Sequence, residues 1–116
     1  MADQDGACIF CRIASGEVPA ELIYEDHWAV AFRDLNPRAP THVLVVPRRH
    51  VPSVADLTED DGEMLAGMFN AIRAVAEQAG LSGYRVVTNV GADAGQSVFH
   101  LHLHLLGGRP MNWPPG

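Results

Sequence analysis

The sequence contains the segment His100-Leu101-His102-Leu103-His104-Leu105-Leu106, in which histidine and leucine alternate strictly. Successive side chains of a β-strand point to opposite faces, so this alternation predicts a strand with three histidines on one face and leucines on the other. The leucine face is expected to pack beneath a helix. Three imidazoles in a row are costly to bury without hydrogen-bond partners, so the histidine face indicates a functional site.

Strand geometry divides the roles of the three histidines. Neighbouring histidines on an extended strand lie about 6.6 Å apart at Cα, whereas His100 and His104 lie about 13 Å apart. Two adjacent imidazoles can share one metal ion, but all three can do so only if the strand bends. We therefore expect different histidines to have different functions.

The surrounding pattern predicts an α+β domain with a mainly antiparallel sheet. Thr58 is a candidate N-cap for one long helix, and Gly80 is placed for its C-terminal cap. The apolar stripe of this helix consists of Leu65, Met68, Phe69, Ile72, Val75, Ala76 and Ala79. A short helical segment is expected over Cys8 to Ala14, and the strands over Glu21 to Tyr24, Trp28 to Phe32, His42 to Val46, Tyr84 to Val90 and Val98 to Leu106. With only one long helix available as a crossover, a doubly wound fold is disfavoured.

Composition narrows the class of protein. The 116 residues carry eight Lys and Arg against fourteen Asp and Glu, a formal net charge of −6, which argues against a nucleic-acid partner. No apolar run approaches the roughly 18 residues of a membrane span. Two cysteines and no signal-peptide pattern favour a reduced, cytoplasmic protein. We expect residues 1–7 to be flexible and residues 8–116 to form one domain with a C-terminal tail at 107–116.

The two cysteines form the motif Cys8-Ile9-Phe10-Cys11. Alone, this motif is ambiguous among a redox pair, half of a zinc site and two buried small residues. A structural zinc site has four protein ligands, and His50 and His100 are the candidates for the other two. A zinc site of this kind would leave His102 and His104 for chemistry.

Imidazole is a good nucleophile towards phosphorus, since its ordinary pKa is near neutrality. It attacks through Nε2 when Nδ1–H is held by an acceptor such as a backbone carbonyl. The loop just before the histidine segment has Gly95, which permits close backbone approach, and Gln96 and Ser97, which can donate hydrogen bonds to phosphate oxygens. This loop is not a P-loop, because it lacks the GxxxxGK[ST] pattern and the chain has no lysine.

The segment at residues 100–106 resembles the HφHφHφφ signature of the histidine triad (HIT) superfamily, in which φ is apolar. The Gly95-Gln96-Ser97-Val98 segment, the Gly107-Gly108-Arg109-Pro110 segment and the closing Trp113-Pro114-Pro115-Gly116 resemble the Hint branch. The similarity runs from about Cys8 to the C-terminus. It implies a HIT-like fold: a five-stranded antiparallel sheet with one long and one short helix, paired into a homodimer with a ten-stranded sheet.

The resemblance also implies residue roles. His102 matches the nucleophile, His104 and His42 match further active-site histidines, and Asp34 matches the residue that binds the ribose hydroxyls. The positions that match phosphate or leaving-group contacts are Asn89, Gly95, Gln96, Ser97 and Val98. The positions that match the apolar slot around the base are Ile9, Phe10, Ile13, Val18, Phe32 and Leu44. Aliphatic residues at these positions can equally be ordinary core residues.

Two further implications concern zinc and the tail. Cys8, Cys11, His50 and His100 resemble a zinc site of other HIT members, with a structural role and no cofactor needed for catalysis. Trp113 matches a residue near the active site of the partner subunit.

The implied activity is hydrolysis of purine nucleoside 5′-phosphoramidates through a covalent nucleotidyl-histidine. The alternatives are a dinucleoside polyphosphate hydrolase or nucleotidyl transferase, and a non-catalytic nucleotide sensor or interaction protein. The expected ligand is a purine nucleoside monophosphate or phosphoramidate.

Overall fold

Five β-strands form one antiparallel sheet in the computed structural model, which describes residues 8–116. The strands are β1 (Leu22–Glu25), β2 (Ala29–Arg33), β3 (Thr41–Pro47), β4 (Tyr84–Val87) and β5 (Leu103–Gly107), arranged in the order β1-β2-β3-β5-β4. This architecture confirms the predicted α+β class and the single five-stranded sheet. The expectation for residues 1–7 lies outside the described residues.

The two central strands, β3 and β5, bring histidines from distant parts of the chain together. Their register places His42 opposite Leu106 and Leu44 opposite His104. Because paired residues share a face, His42, Leu44 and His104 lie on one side of the sheet. Leu103 and Leu105 lie on the other side, in the main hydrophobic core, as the alternation predicted.

The long helix α2 (Gly62–Gln78) covers the leucine side of the sheet, over β1, β2 and β3. Thr58 caps a short 3₁₀ turn (Glu59–Asp61) that leads into α2, and Thr58 and Asp61 form a reciprocal capping box. Gly80 follows the helix with φ +70°, a conformation that favours glycine. No helix of residues 8–116 is long and apolar enough to cross a membrane.

The predicted apolar stripe of α2 was wrong at two positions. Phe69 is 51% exposed and Ala79 is also exposed. The buried side of the helix follows Met64, Met68, Ile72 and Val75, together with Ala71 and Ala76. Phe69 is about 100° around the helix from Met68, so its ring points to the edge of the covered face rather than into the core.

The short helix α1 (Ile9–Ser15) packs on the histidine side of the sheet. Cys8 is its N-cap, with the Cys11 N–H donating to Cys8 Sγ at 3.3 Å. Phe10, Cys11 and Ala14 are buried against residues of β2 and β3, namely Val30, Phe32, Leu44 and Val46. The helix ends at Gly16, which has φ +85°.

The predicted ends of the last two strands were also wrong. β4 stops at Val87 rather than Val90, and β5 begins at Leu103 rather than Val98. The N–H of Leu101 donates instead to the Val51 carbonyl at 2.6 Å. β3 ends at Pro47, which has no N–H for a further ladder bond, so the segment before Leu103 leaves the sheet. His100 and His102 therefore precede the strand, and only His104 is on it.

Candidate active site and metal centre

A cleft of about 630 Å³ lies beside α1 on the histidine side of the sheet. All six residues predicted to form the apolar slot line this cleft: Ile9, Phe10, Ile13, Val18, Phe32 and Leu44. Asp34, Ser97, Val98, His102 and His104 line it as well. The cleft thus joins an apolar wall to a group of polar side chains at one end.

His102 is held in the tautomer that suits a nucleophile. Its Nδ1 lies 2.8 Å from the His100 carbonyl oxygen. A carbonyl only accepts hydrogen bonds, so Nδ1 carries the proton and Nε2 keeps its lone pair. The His102 carbonyl in turn accepts from the Thr88 hydroxyl at 2.8 Å. The ring of His102 is buried, although it contributes to the lining of the cleft.

His104 is held in the opposite tautomer, through His42. The Arg38 N–H donates to His42 Nδ1 at 3.0 Å, so a neutral His42 carries its proton on Nε2. His42 Nε2 lies 2.9 Å from His104 Nδ1 and 3.4 Å from Asp34 Oδ2. Since His104 Nδ1 accepts a hydrogen bond from His42, the proton of His104 is on Nε2.

The surroundings of His104 and His42 favour the neutral form of both rings. Burial, together with the neighbouring His102 and His42 rings, lowers the pKa of His104 to about 4. Burial also lowers the pKa of His42, aided by Arg38 and opposed by the Asp34 carboxylate. The rings of His102 and His104 lie 5.0 Å apart at their centroids. A lone pair on one ring and an N–H on the next therefore lie close together at the end of the cleft.

The loop between β4 and β5 carries the predicted site residues Gln96 and Ser97, of which Ser97 lines the cleft. The Gln96 side chain is buried and bonded within the protein: its amide donates to the Pro52 and Val98 carbonyls at 2.8 and 3.1 Å and accepts from the Gly91 N–H at 2.9 Å. Both amide protons are used, so this side chain fixes the loop rather than facing the cleft. Ser97 is exposed at the cleft.

Asn89 and Gly95 lie beside one another and do not contribute to the lining of the cleft. Gly95 has φ +96°, and a Cβ added there would lie 3.7 Å from Asn89 Nδ2. His42 also does not line the cleft, and it contacts His104 at Nδ1. Asn89 and Gly95 are thus placed to shape the loop that carries Ser97.

The four predicted metal ligands converge in a second cluster. The Nδ1 atom of His100 lies 3.2 Å from Cys8 Sγ, 3.4 Å from Cys11 Sγ and 3.2 Å from His50 Nδ1. Cys11 Sγ is 3.3 Å from His50 Nδ1, and all four ligand atoms lie within 4.8 Å of one another. Tetrahedral zinc with Zn–S near 2.3 Å and Zn–N near 2.05 Å places its ligands about 3.3 to 3.8 Å apart. The cluster fits zinc.

Hydrogen bonding at His100 supports this assignment. His100 Nε2 lies 2.9 Å from the Pro47 carbonyl oxygen, so Nε2 carries the proton and the Nδ1 lone pair faces the cysteines. Asp34, His42 and His104 also bring one ligand atom each within 4.8 Å of the others. There, however, the Arg38 N–H occupies His42 Nδ1 and keeps a proton on the Nε2 atom that a metal would need. The Cys₂His₂ cluster is therefore the metal centre that the proton positions favour.

Several contributors to the site carry no signal in the sequence. The carbonyls of Pro47 and His100 and the N–H of Arg38 act through the backbone, which every residue type supplies. Leu35 is a different case: it lines the cleft with a fully exposed apolar side chain beside Asp34, and this exposure is visible only in the structure. Pro19, Ala20, Glu21 and Arg33 complete the lining.

Trp113 lies away from the cleft in this chain. Its ring is 82% exposed and lies 5.7 Å from the Arg85 guanidinium, which also donates to the Asn112 carbonyl. The tail is thereby attached to the histidine side of β4, since Arg85 is paired with Leu106.

Comparison with known proteins gives consistent matches over nearly the whole chain. A family model described as the C-terminal binding region of the scavenger mRNA decapping enzyme matches residues 7–113. A HIT-like protein of Synechocystis is 46% identical over 109 residues, covering 93% of this chain and 96% of that protein. A 14 kDa zinc-binding protein of Zea mays is 47% identical over 115 residues, covering 97% of this chain and 90% of that protein.

A solved structure shows the same fold. The crystal structure of a HIT family hydrolase from Legionella pneumophila superposes with a TM-score of 0.91 at 50% sequence identity. The match covers 94% of this chain and 99% of that chain.

Proposed function

The chain belongs to the histidine triad family, and from that premise we propose that it is a hydrolase that cleaves the P–N bond of purine nucleoside 5′-phosphoramidates. One observation carries the proposal: His102 and His104 hold opposite tautomers side by side at the end of the cleft. Such a pair supplies a nucleophile and, next to it, a hydrogen-bond donor for the phosphoryl oxygens without an outside base. Two solved structures similar to this chain are named HIT family hydrolases, which supports the hydrolase class.

In the first step, His102 Nε2 attacks the phosphorus with its lone pair. An N–P bond forms to His102 and the bond to the leaving amine breaks. The departing nitrogen leaves as the amine with a proton taken up from solvent, while the Nε2–H of the neutral His104 donates a hydrogen bond to the phosphoryl oxygens. The products of this step are a free amine and a nucleotidyl group on His102.

In the second step, water attacks the same phosphorus. The water releases one proton to solvent, the N–P bond to His102 breaks, and the nucleotide leaves. His42 keeps the Nδ1 side of His104 engaged throughout, so that the Nε2–H of His104 stays directed at the substrate. Asp34, at the cleft and 3.4 Å from His42, is assigned to the ribose hydroxyls.

The apolar wall is assigned to the purine base. Ile9, Phe10 and Ile13 from α1 line the cleft together with Phe32 and Leu44 from the sheet, and Phe10 contacts Phe32 edge to face with the ring centroids 5.6 Å apart. An apolar slot with a few polar groups at one end is the usual form of a small-molecule site. The base would be sandwiched between α1 and the sheet, with the α-phosphate near His102.

Zinc at Cys8, Cys11, His50 and His100 is assigned a structural function. When bound, it would tie the beginning of α1 to the end of β3 and to the segment before β5, and would supply no reacting group. The zinc-binding protein of Zea mays supports the identity of the metal.

A homodimer with a continuous ten-stranded sheet is part of the proposal. β4 is an edge strand, and α2 packs mainly over β1 to β3. Tyr84 and Val86 point to the α2 side of β4 and are exposed, as is Phe69 on the helix. An uncovered edge strand with exposed apolar residues is a site for strand pairing. Light scattering should give a dimer for the wild type and a monomer for Val86→Glu; a monomeric wild type would contradict the proposal.

The decisive experiment follows the covalent intermediate. Rapidly quenched reactions with adenosine 5′-phosphoramidate should show the mass of the chain increased by one nucleotidyl group, mapped to His102 and labile to acid. His102→Ala should abolish turnover and retain nucleotide binding, while His27→Ala, an exposed histidine outside both clusters, should behave as the wild type. Full turnover by His102→Ala would refute the mechanism.

Dinucleoside polyphosphate hydrolysis is a second candidate, because attack by His102 Nε2 on the phosphorus can displace an oxygen leaving group as well as a nitrogen. A side-by-side assay with an adenosine phosphoramidate and a diadenosine polyphosphate distinguishes the two. Tight binding of both with no turnover would instead indicate a nucleotide sensor.

A further inference from the structure

His100 takes part both in the cluster of predicted metal ligands and in the hydrogen bonding of the nucleophile His102. Its ring presents Nδ1 to the cysteines and donates from Nε2 to the Pro47 carbonyl, while its own carbonyl accepts the Nδ1–H of His102. His100 is fully buried, so its ring and its carbonyl have little freedom to move separately. The position of the metal ligand therefore sets the position of the acceptor that fixes the tautomer of the nucleophile.

Phe10 provides a second connection between the clusters. It lies between the two cysteines in the sequence, and its ring edge meets the ring of His100 at 6.0 Å and that of His102 at 5.2 Å, measured between centroids. Phe10 also lines the cleft. Fixing the positions of Cys8 and Cys11 therefore fixes the Phe10 side chain, which lines the cleft next to His102.

The metal centre is reachable from the surface on one side. A surface cleft of about 480 Å³ is lined by Cys11, Ala14, Ser15, Arg48, Arg49 and His50. A small oxidant fits in this space, beside the Cys11 side chain. Cys8 and Cys11 are the only cysteines of the chain, so any thiol oxidation concerns this pair.

We propose that the cluster of Cys8, Cys11, His50 and His100 is an oxidation-sensitive positioning site for His102. With the four ligands held together, the His100 carbonyl keeps His102 in its attacking tautomer. When a hydroperoxide oxidises the two cysteines to a disulfide, the metal is released. His100 is then no longer held by the metal, and His102 reacts more slowly. The effect on catalysis rests on the proposed function, whereas the effect on the His102 ring does not.

The oxidation balances with hydrogen peroxide as the two-electron acceptor. The Cys11 thiolate attacks one peroxide oxygen, the O–O bond breaks, and a sulfenic acid and water form after proton uptake. The Cys8 thiolate then attacks the Cys11 sulfur, an S–S bond forms, the S–O bond breaks, and a second water leaves. Two thiolates, one peroxide and two protons give one disulfide and two waters. A disulfide has no thiolate to donate, so only two of the four ligands remain.

The experiment treats zinc-loaded, ¹⁵N-labelled protein with one equivalent of hydrogen peroxide at constant pH. Zinc release is followed with a chelating dye, the disulfide by mass after alkylation, and His102 by the NMR signal of its Nδ1–H. We expect one zinc released per disulfide, loss of the His102 signal, and nucleotidylation of His102 slowed about tenfold to a hundredfold. A thiol reductant followed by zinc should restore all three, and this excludes methionine oxidation as the cause.

Two controls separate positioning from folding. Chelation without oxidant should remove the His102 signal while the methyl signals of the core on the α2 side persist. His50→Cys retains four ligands and should retain the His102 signal before any oxidant is added.

Two results overturn the proposal: an unchanged His102 signal after complete zinc release, or loss of core and His102 signals together, which would mean that the metal only maintains the fold. If no phosphoramidate is cleaved but the His102 signal still follows the zinc, the proposed function fails and the positioning site stands.

Discussion

His104 should stay neutral over the pH range in which an ordinary histidine titrates. Burial and two neighbouring imidazoles lower its pKa to about 4, against about 6.5 for a solvated histidine. At pH 6, about 1% of the molecules would carry a protonated His104, whereas about three in four would do so at the ordinary pKa. The Nε2–H donor and the Nδ1 acceptor of this ring are therefore expected to be unchanged from pH 8 to pH 6.

The measurement is an NMR titration of the His104 ring from pH 8 to pH 4, assigned from the spectrum of His104→Gln. We expect the ring carbon shift of His104 to remain constant down to about pH 5. The same protein in urea should titrate near 6.5 and serves as the unfolded reference. A folded-state midpoint above pH 6 would refute the reasoning from burial and neighbouring rings.

The same shift predicts the direction in which acid changes stability. The pKa of His104 is lower in the folded than in the unfolded state, so the unfolded chain binds more protons between pH 6.5 and pH 4. The free energy of unfolding contributed by this residue is complete above pH 6.5 and is lost as the pH falls towards 4. Because the ring is only half-buried, solvent screening reduces the loss well below the full equivalent of the shift. Urea unfolding at pH 7 and pH 5 should show a smaller decrease for His104→Gln than for the wild type.

Three other predictions test packing, the loop and the metal. Gly67→Ala places a Cβ 2.6 Å from two ring atoms of Trp28 and should lower the free energy of unfolding by about 1–3 kcal/mol. The control Gly62→Ala places a Cβ that has nothing within 4 Å and should not lower it. Urea unfolding measures the free energy for both variants. Gln96→Ala removes three hydrogen bonds of a buried side chain and should lower the free energy of unfolding by about 1–3 kcal/mol in the same assay. An unchanged free energy of unfolding together with weaker nucleotide binding would instead support a contact between Gln96 and the phosphate. Elemental analysis should find one zinc per chain in the wild type and little in Cys8→Ser; equal zinc in both would reject the site.

Periodicity in the sequence predicted the parts of the fold that depend on burial. Leu101, Leu103 and Leu105 lie in the core because strict alternation commits one face of a strand to apolar packing. The cap at Thr58 and the terminal Gly80 bound the long helical region because these residue types satisfy backbone groups locally. Phe69 was misplaced because an apolar residue beside the stripe fits the period almost as well as one within it.

The details of the site depended on contacts that periodicity does not encode. Strict alternation suggested that His100 shares the strand with His104, but the strand starts after His102 because Pro47 ends the ladder of β3. Gln96 resembled a phosphate ligand by its place in the motif, yet its side chain bonds backbone groups of its own loop and of the distant Pro52. The tautomers of His102 and His104 depend likewise on a carbonyl and an N–H that no side chain identifies.

The order of strands has a consequence for the way the molecule opens. His42 and His104 lie on β3 and β5, which both have neighbours on each side, while β1 and β4 form the edges. Amide hydrogens of central strands generally exchange only through global unfolding, whereas edge strands exchange through smaller, more frequent openings. The amides of Leu44 and His104 should therefore be among the slowest to take up deuterium. Transient detachment of β1 or β4 then exposes backbone amides without disturbing the contact between His42 and His104.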